Sequence, residues 1–209
     1  MNQIIFPSLM SKNQEELDQD LNRLKGAVKI LHLDIVDGIF APNHALDFKF
    51  KLSSKFKYHL HLMVKKPEIW IKKYLSRGEL FFPQIEELKD FSKYAAWMKK
   101  EHKKVGFAVL PETPISKINS FLSQTDVVLI LTVHPGFYGS KYLPGQLKKI
   151  VQIKKINPQI KVIVDGGMNP QRIGLTAKAG ADYFVSGSYT TKADKPKEAI
   201  KRLIKAVKE

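Results

Sequence analysis

Lys29-Ile-Leu-His-Leu-Asp-Ile35, running on into Val36-Asp-Gly-Ile-Phe-Ala-Pro-Asn43, is the stretch on which the reading of this chain turns. Its first half is dense in Ile and Leu and reads as a strand, which Gly38 and Pro42 break. Side chains alternate faces along a strand, so His32 and Asp34 point the same way at its C-terminal end. In α/β folds that end is where chemistry is placed. Taken alone, the pair is better read as a satisfied buried histidine beside a loop-capping aspartate. The surrounding chain decides the matter.

Outward from this stretch, strands and helices alternate. Residues 3–6 read as a short apolar strand ended by Pro7-Ser8, and 13–24 as a helix with Leu17, Leu21 and Leu24 on one face. A connecting segment over 43–51 leads to a third strand, 57–64. Pro67 opens a helix to Leu75, as suits a first helical turn. Short strand 79–82 and helix 91–100 follow, then strand 105–110 and a helix from Thr113-Pro114 through Phe121. Strand 126–133 is almost wholly apolar, the pattern of a parallel strand buried on both faces. Helix 143–156, strand 161–164, a helix capped at Asn169-Pro170 and running to Ala179, strand 182–186 and a last helix from Pro196 complete the order. About eight β–α units predict a (β/α)8 TIM barrel forming one domain over residues 1–209, with compact loops because such barrels typically take ~250 residues. An open doubly wound sheet is the competing architecture, since alternation does not by itself show closure.

The composition bounds the partners. The chain has 209 residues, 44% apolar and 26% charged, the make-up of a soluble globule. The apolar run around Val127–Val133 is too short to span a bilayer, so no membrane role is expected. The N-terminal residues lack the basic start and apolar core of a signal peptide, and a cytoplasmic location is expected. With no Cys, any metal must be held by His and carboxylate. The net charge of +15 raises nucleic acid as a partner. The lysines are nevertheless spread over helices, with no Arg-rich tract, so a solvated surface that also attracts an anionic substrate is the better reading. A homo-oligomer is compatible with all of this.

Four predicted strand ends carry unusual residues: Ser8, then His32 with Asp34, then His61, then Asp165. In a closed barrel they converge on one mouth, where two His and two Asp suit a divalent metal with mixed nitrogen and oxygen ligands. Zinc, iron, manganese and cobalt all tolerate such a set. His59 shares a face with His61 but lies deeper and is read as packing. His134 is placed to touch substrate, and His44 and His102 are read as non-catalytic. Three glycine-bearing turns, Gly136-Phe-Tyr-Gly139, Gly166-Gly167 and Gly187-Ser188, follow strands six, seven and eight. Glycine lets backbone N–H groups approach an anion, and barrels often bind phosphate at these loops. A phosphorylated small substrate is the working expectation.

These motifs resemble the ribulose-phosphate 3-epimerase family. His32-Leu-Asp-Ile-Val-Asp-Gly-Ile-Phe-Ala-Pro-Asn43 is similar to its H-x-D-V-M-D-G-x-F-V-P-N, and His61-Leu-Met-Val64 with Pro67-Glu68 to its H-L-M-V-x-x-P-E. Thr132-Val-His-Pro-Gly-Phe-Tyr-Gly139 resembles T-V-N-P-G-F-G-G. Pro7-Ser8-Leu9-Met10, Val164-Asp-Gly-Gly167, and the blocks from Ala179 to Asp182 and at Gly187-Ser188 fall in family order. The resemblance implies a TIM barrel of the ribulose-phosphate-binding type and one divalent metal on His32, Asp34, His61 and Asp165. It implies Asp34 and Asp165 as the catalytic pair, moving a proton at C3 of a phosphorylated ketose from opposite faces. Ser8, His61, Gly136, Phe137, Tyr138, Gly139, Gly166, Gly167, Gly187 and Ser188 would bind the substrate. The walls depart from the pattern. Val36 and Leu131 replace methionines, leaving Met63 as the one thioether of the pocket; Tyr138 replaces a Gly, Ser140 a Gln, Leu110 an Asn and His59 an Asp; and the His-x-Glu ending strand four is lost within Phe82-Pro-Gln-Ile-Glu86.

Ribulose 5-phosphate and xylulose 5-phosphate are the simplest expected pair, with a 6-carbon ketose phosphate as alternative. A metal-free lyase of the orotidine-decarboxylase kind would show D-x-K-x-x-D at a strand end, and Asp34 and Asp37 come without that Lys. A non-catalytic sugar-phosphate-binding barrel would have no reason to keep Ser8, His32, Asp34, His61 and Asp165 together.

Overall fold

The computed structural model describes residues 3–209. Eight parallel strands form the barrel: β1 (Ile5–Leu9), β2 (Ile30–Asp37), β3 (Lys57–Met63), β4 (Gly78–Pro83), β5 (Gly106–Val109), β6 (Val127–Leu131), β7 (Lys161–Asp165) and β8 (Tyr183–Ser186). Strand β8 returns to β1, with Ile5 opposite Phe184. Strands β4 and β5 meet through a parallel bridge between Gln84 and Ala108. The sheet thus curls into a nearly closed ring, which sets aside the open doubly wound arrangement.

The outer layer is built from α1 (Gln14–Leu24), α2 (Pro67–Tyr74), α3 (Phe91–Lys100), α4 (Leu147–Ile156), α5 (Pro170–Lys178), the single turn α6 (Ser188–Thr191) and α7 (Pro196–Lys208). Helix α1 shows how local chemistry sets a boundary. The Asn13 side chain accepts from the Glu16 N–H, and Glu16 Oε2 accepts from the Lys12 N–H, satisfying two N–H groups at the helix start. Leu17, Leu21 and Leu24 are then buried on the barrel side.

The elements depart from sequence expectation in several places, and the helix expected from residue 143 starts at Leu147 after a 3-10 turn over Pro144–Gln146. Strand β1 runs on through Pro7 and Ser8 to Leu9, because proline's fixed φ suits extended chain even though its missing N–H weakens the ladder. No α-helix follows β5; residues there form the 3-10 turns Ile115–Lys117 and Asn119–Gln124. Ser116, Asn119, Ser120 and Ser123 are poor helix formers because their side chains compete for backbone hydrogen bonds. Within the connecting segment after β2, His44–Ala45 folds back antiparallel on Val36 and Asp37. The turn α6 stands between strand 182–186 and the helix from Pro196, where the sequence predicts no helix.

Two apolar layers follow from the alternation of strand side chains. Outward residues such as Leu33, Leu60, Val128 and Val164 pack under the helices. Inward residues, among them Phe6, Phe82, Leu129, Ile163 and Val185, fill the barrel. Among the described residues no helix is long and apolar enough to cross a membrane.

Asp182 ties one edge of this frame together. Its carboxylate accepts from Lys154 Nζ at 2.6 Å, from Lys161 Nζ at 2.9 Å and from the Val162 N–H at 2.9 Å, linking α4 and β7 to the start of β8. Asp182→Ala leaves the Val162 N–H without its acceptor and strips the carboxylate from the part-buried Lys154 ammonium, which keeps the Ile160 carbonyl. The expected loss is about 2 kcal/mol, or a fall in Tm of about 6 °C for a chain of this size. A thermal melt that is unchanged would show that the cluster contributes nothing.

Candidate active site

The C-terminal mouth of the barrel is assembled by register. Parallel pairing of β2 with β3 sets His32 opposite His59 and Asp34 opposite His61, while Ser8 of β1 lies opposite His32. Asp165 closes β7, opposite Leu131 of β6 and Val185 of β8. The inward face of these strands therefore carries His32, Asp34, His61 and Asp165 toward one point. His61 Nδ1 lies 3.0 Å from Asp34 Oδ1 and 3.3 Å from Asp165 Oδ2. His32 Nε2 lies 3.6 Å from Asp34 Oδ1 and 3.9 Å from Asp165 Oδ2.

Burial dominates the electrostatics. It raises the Asp34 carboxyl, and the neighbouring charge of Asp165 raises it further, to about 6. It pushes the His32 imidazole well below its ordinary value, so this ring is neutral. For His61 burial also disfavours the charged ring, but hydrogen bonds to Asp165 and Asp34 outweigh it and raise the imidazole to about 9.

A divalent cation fits this donor set. The four candidate ligand atoms all lie within 4.8 Å of one another. Donors about 2.1 Å from a shared ion stand roughly 3.4 Å apart in a tetrahedral site, close to the separations found. Both ring nitrogens of His32 are buried without a hydrogen-bond partner, and buried polar atoms are seldom left so. A cation beside Nε2 would give that nitrogen a partner.

The cluster forms part of the wall of a cavity of about 790 Å³. Ser8, Asp34, His61, Gly136, Phe137, Tyr138, Gly139, Asp165, Gly166, Gly167, Gly187 and Ser188 all line it, whereas His32 sits behind the wall. All the expected positions thus come together. Two glycines are needed where they stand. Gly166 has φ +119, and a Cβ there would lie 2.6 Å from Val133 Cγ2. A Cβ on Gly187 would lie 2.3 Å from the Tyr138 ring. That ring reaches across the cavity, and its hydroxyl donates to the Ser8 carbonyl at 2.8 Å. His134 lines the cavity and lies 3.0 Å from Glu112, while His44 pairs with Asp47 away from it.

A family model described as the ribulose-phosphate 3 epimerase family matches residues 4–191. The chain belongs to the ribulose-phosphate 3-epimerase family. By family it is therefore an isomerase. A ribulose-phosphate 3-epimerase of Schizosaccharomyces pombe is 32% identical, over 97% of this chain and 93% of that one. The Bacillus subtilis ribulose-phosphate 3-epimerase is 27% identical, over 95% and 97%. Among solved structures, KGPDC from Streptococcus mutans superposes with a TM-score of 0.72 over 100% of this chain and 98% of that chain; at 10% identity this speaks for the fold alone.

Several residues of this epimerase-family site escaped the sequence reading. Met63 is not the one thioether of the pocket: Met10, just beyond β1, and Met168, just after the Gly166-Gly167 turn, line it too. Arg172 lines the cavity beside the Gly166-Gly167 turn, donating to the Gly167 carbonyl at 2.9 Å with its guanidinium 4.6 Å from the Tyr142 ring. Gln84 matters most. Its Nε2 lies 2.8 Å from His61 Nε2, and its Oε1 is buried without a partner. A half-turn of the amide exchanges the two atoms. Oε1 then accepts from the His61 Nε2–H, which leaves the Nδ1 lone pair aimed at the cluster. A sequence signal was present, since Gln84 lies within Phe82-Pro-Gln-Ile-Glu86, the stretch in which the family's His-x-Glu is lost.

Two outcomes follow for a chelator-competition assay of metal affinity. Gln84→Leu should weaken binding about 10–100-fold. In the intact chain affinity should rise with pH up to about 9 and level off above it, because the proton on His61 competes with the metal below that value. A flat pH profile would show that His61 is no ligand.

Proposed function

We propose that this chain interconverts D-ribulose 5-phosphate and D-xylulose 5-phosphate by two-base proton transfer at C3, one of Asp34 and Asp165 taking the C3 proton and the other delivering a proton from the opposite face. The observation that carries the reading is the convergence of these two carboxylates on His61 Nδ1, at 3.0 and 3.3 Å, in the wall of one cavity. Epimerisation needs a base on one face of the carbon and an acid on the other, which two carboxylates from separate strands can provide. Asp34, raised toward neutral pH by burial, is matched to taking and returning a proton there. Asp165 takes the complementary role.

The proton beside a ketone is weakly acidic, so negative charge on the substrate oxygens has to be stabilised as it leaves. A divalent cation held by His32, Asp34, His61 and Asp165 would supply that stabilisation as a Lewis acid. Zinc, iron, manganese and cobalt all suit the donors. His61 is held by Gln84, so its ring keeps one orientation as the carboxylates change charge. Ser8 and the turns at Gly136–Gly139, Gly166-Gly167 and Gly187-Ser188 would bind the phosphate end through backbone N–H groups. Tyr138 takes up volume beside Gly187 instead of enlarging the pocket, which favours the five-carbon sugar over a 6-carbon ketose phosphate. On this reading the whole chain serves as one catalytic domain.

The test is exchange at C3. Incubation of ribulose 5-phosphate with the metal-loaded protein in deuterated water should place deuterium at C3 and form xylulose 5-phosphate. Asp34→Asn and Asp165→Asn should each slow turnover by about 10²–10⁴-fold. Near-normal epimerisation by either variant would sink the two-base assignment, and absence of C3 exchange in the intact protein would sink the reaction.

A further inference from the structure

A parallel barrel has a second mouth, at the N-terminal ends of its strands, and here it holds a cavity of about 670 Å³. That volume is the size of a small-molecule pocket. Phe82 separates it from the site already described, its ring lying 5.9 Å from His32 on one side and 6.0 Å from His59 on the other. The two cavities therefore lie at opposite ends of the barrel axis.

The floor and rim of this second cavity differ in chemistry. Phe6 and Leu80, both from the inner apolar layer, form part of the floor. Lys57, Arg77, Lys103, Lys104 and Lys161 line the rim against one carboxylate, Glu79. Three of these cations are engaged within the protein. Lys57 pairs with Glu79 at 2.8 Å, Lys161 with Asp182 at 2.9 Å, and Lys103 Nζ donates to the Gly78 carbonyl at 2.7 Å. Arg77 and Lys104 have no carboxylate within ion-pair distance among the described residues.

His59 supplies an independent sign of a ligand. It borders the cavity, is only 7% exposed, and its Nδ1 is buried with no hydrogen-bond partner. An imidazole in this place can offer a ring nitrogen to the edge of a ligand in the cavity. A charged ligand group belongs with Arg77 and Lys104, and a neutral hydrogen-bonding edge belongs with His59.

We infer that the N-terminal mouth is a second binding site, for a nucleoside phosphate. Its base lies over Phe6 and Leu80 with an edge hydrogen-bonded to His59, and its phosphate meets Arg77 and Lys104. A nucleotide is the ligand class that joins a flat, largely apolar body with a hydrogen-bonding edge to a multiply charged end. The inference is independent of the reaction assigned to the other mouth.

ADP is the probe, titrated into the full-length protein while the histidine imidazole resonances are followed by NMR. His59 reports this mouth and His61 the other. The expected result is a saturable shift of His59, with ADP binding more tightly than inorganic phosphate. The Arg77→Ser/Lys104→Ser double variant should bind ADP about tenfold more weakly or worse, with its His61 resonances unchanged. The inference is overturned if His59 is unmoved up to about 10 mM ADP, or moves only in step with His61. It is equally overturned if phosphate binds as tightly as ADP, or if the double variant binds ADP like the parent.

Discussion

The parallel register of β2 against β3 is the constraint on which the site depends. It places Asp34 level with His61 and His32 level with His59, all on the inward face. Because side chains alternate, a slip of one residue would turn both histidines of β3 into the helix layer and bring Leu60 and Leu62 into the barrel. The apolar outward residues Leu33, Ile35, Leu60 and Leu62 resist that slip, since they would then enter a space already filled. The hydrophobic pattern and the polar site are thus held by the same alternation.

Gathering two carboxylates and two imidazoles where water is scarce is costly unless charge is balanced. The arrangement shows how the balance is struck. His32 stays neutral, His61 holds its proton strongly between Asp34 and Asp165, and Asp34 shifts toward its neutral form. Asp34 and His61 are each poised because of what their neighbours carry. Gln84 joins this balance without adding charge, since an amide can present either a donor or an acceptor to His61.

Much of this was legible in the sequence because two simple periods carry it. The alternation of apolar runs with helical spacing gave eight β–α units, and period two along β2 and β3 put His32, Asp34 and His61 on one face. Asp165 and the glycine turns could be placed because each ends a strand. What escaped depended on contacts between distant segments. Gln84 reads as one polar residue after Pro83 until the β3–β4 pairing brings it to His61. Met10 and Met168 look like core residues until Ser8 and Gly166 are placed on the rim. Thr113-Pro114 predicts a helix through Phe121 after β5, yet the serines and Asn119 there tip the backbone to 3-10 geometry.

The pairing of β1 with β8 has a consequence for how the molecule comes into being. Ile5, Phe6 and Pro7 find their partners only at Phe184, Val185 and Ser186, nearly a whole chain away. The first strand can pair with β2 early, but its other edge must wait for β8, and contacts of such long span make folding slow and leave early intermediates open to association. Thr191 fastens the join by donating to the Ser8 carbonyl, the same oxygen that Tyr138 holds. A chain that stops short of β8 would thus carry every acidic and imidazole group of the mouth but hold no finished ring.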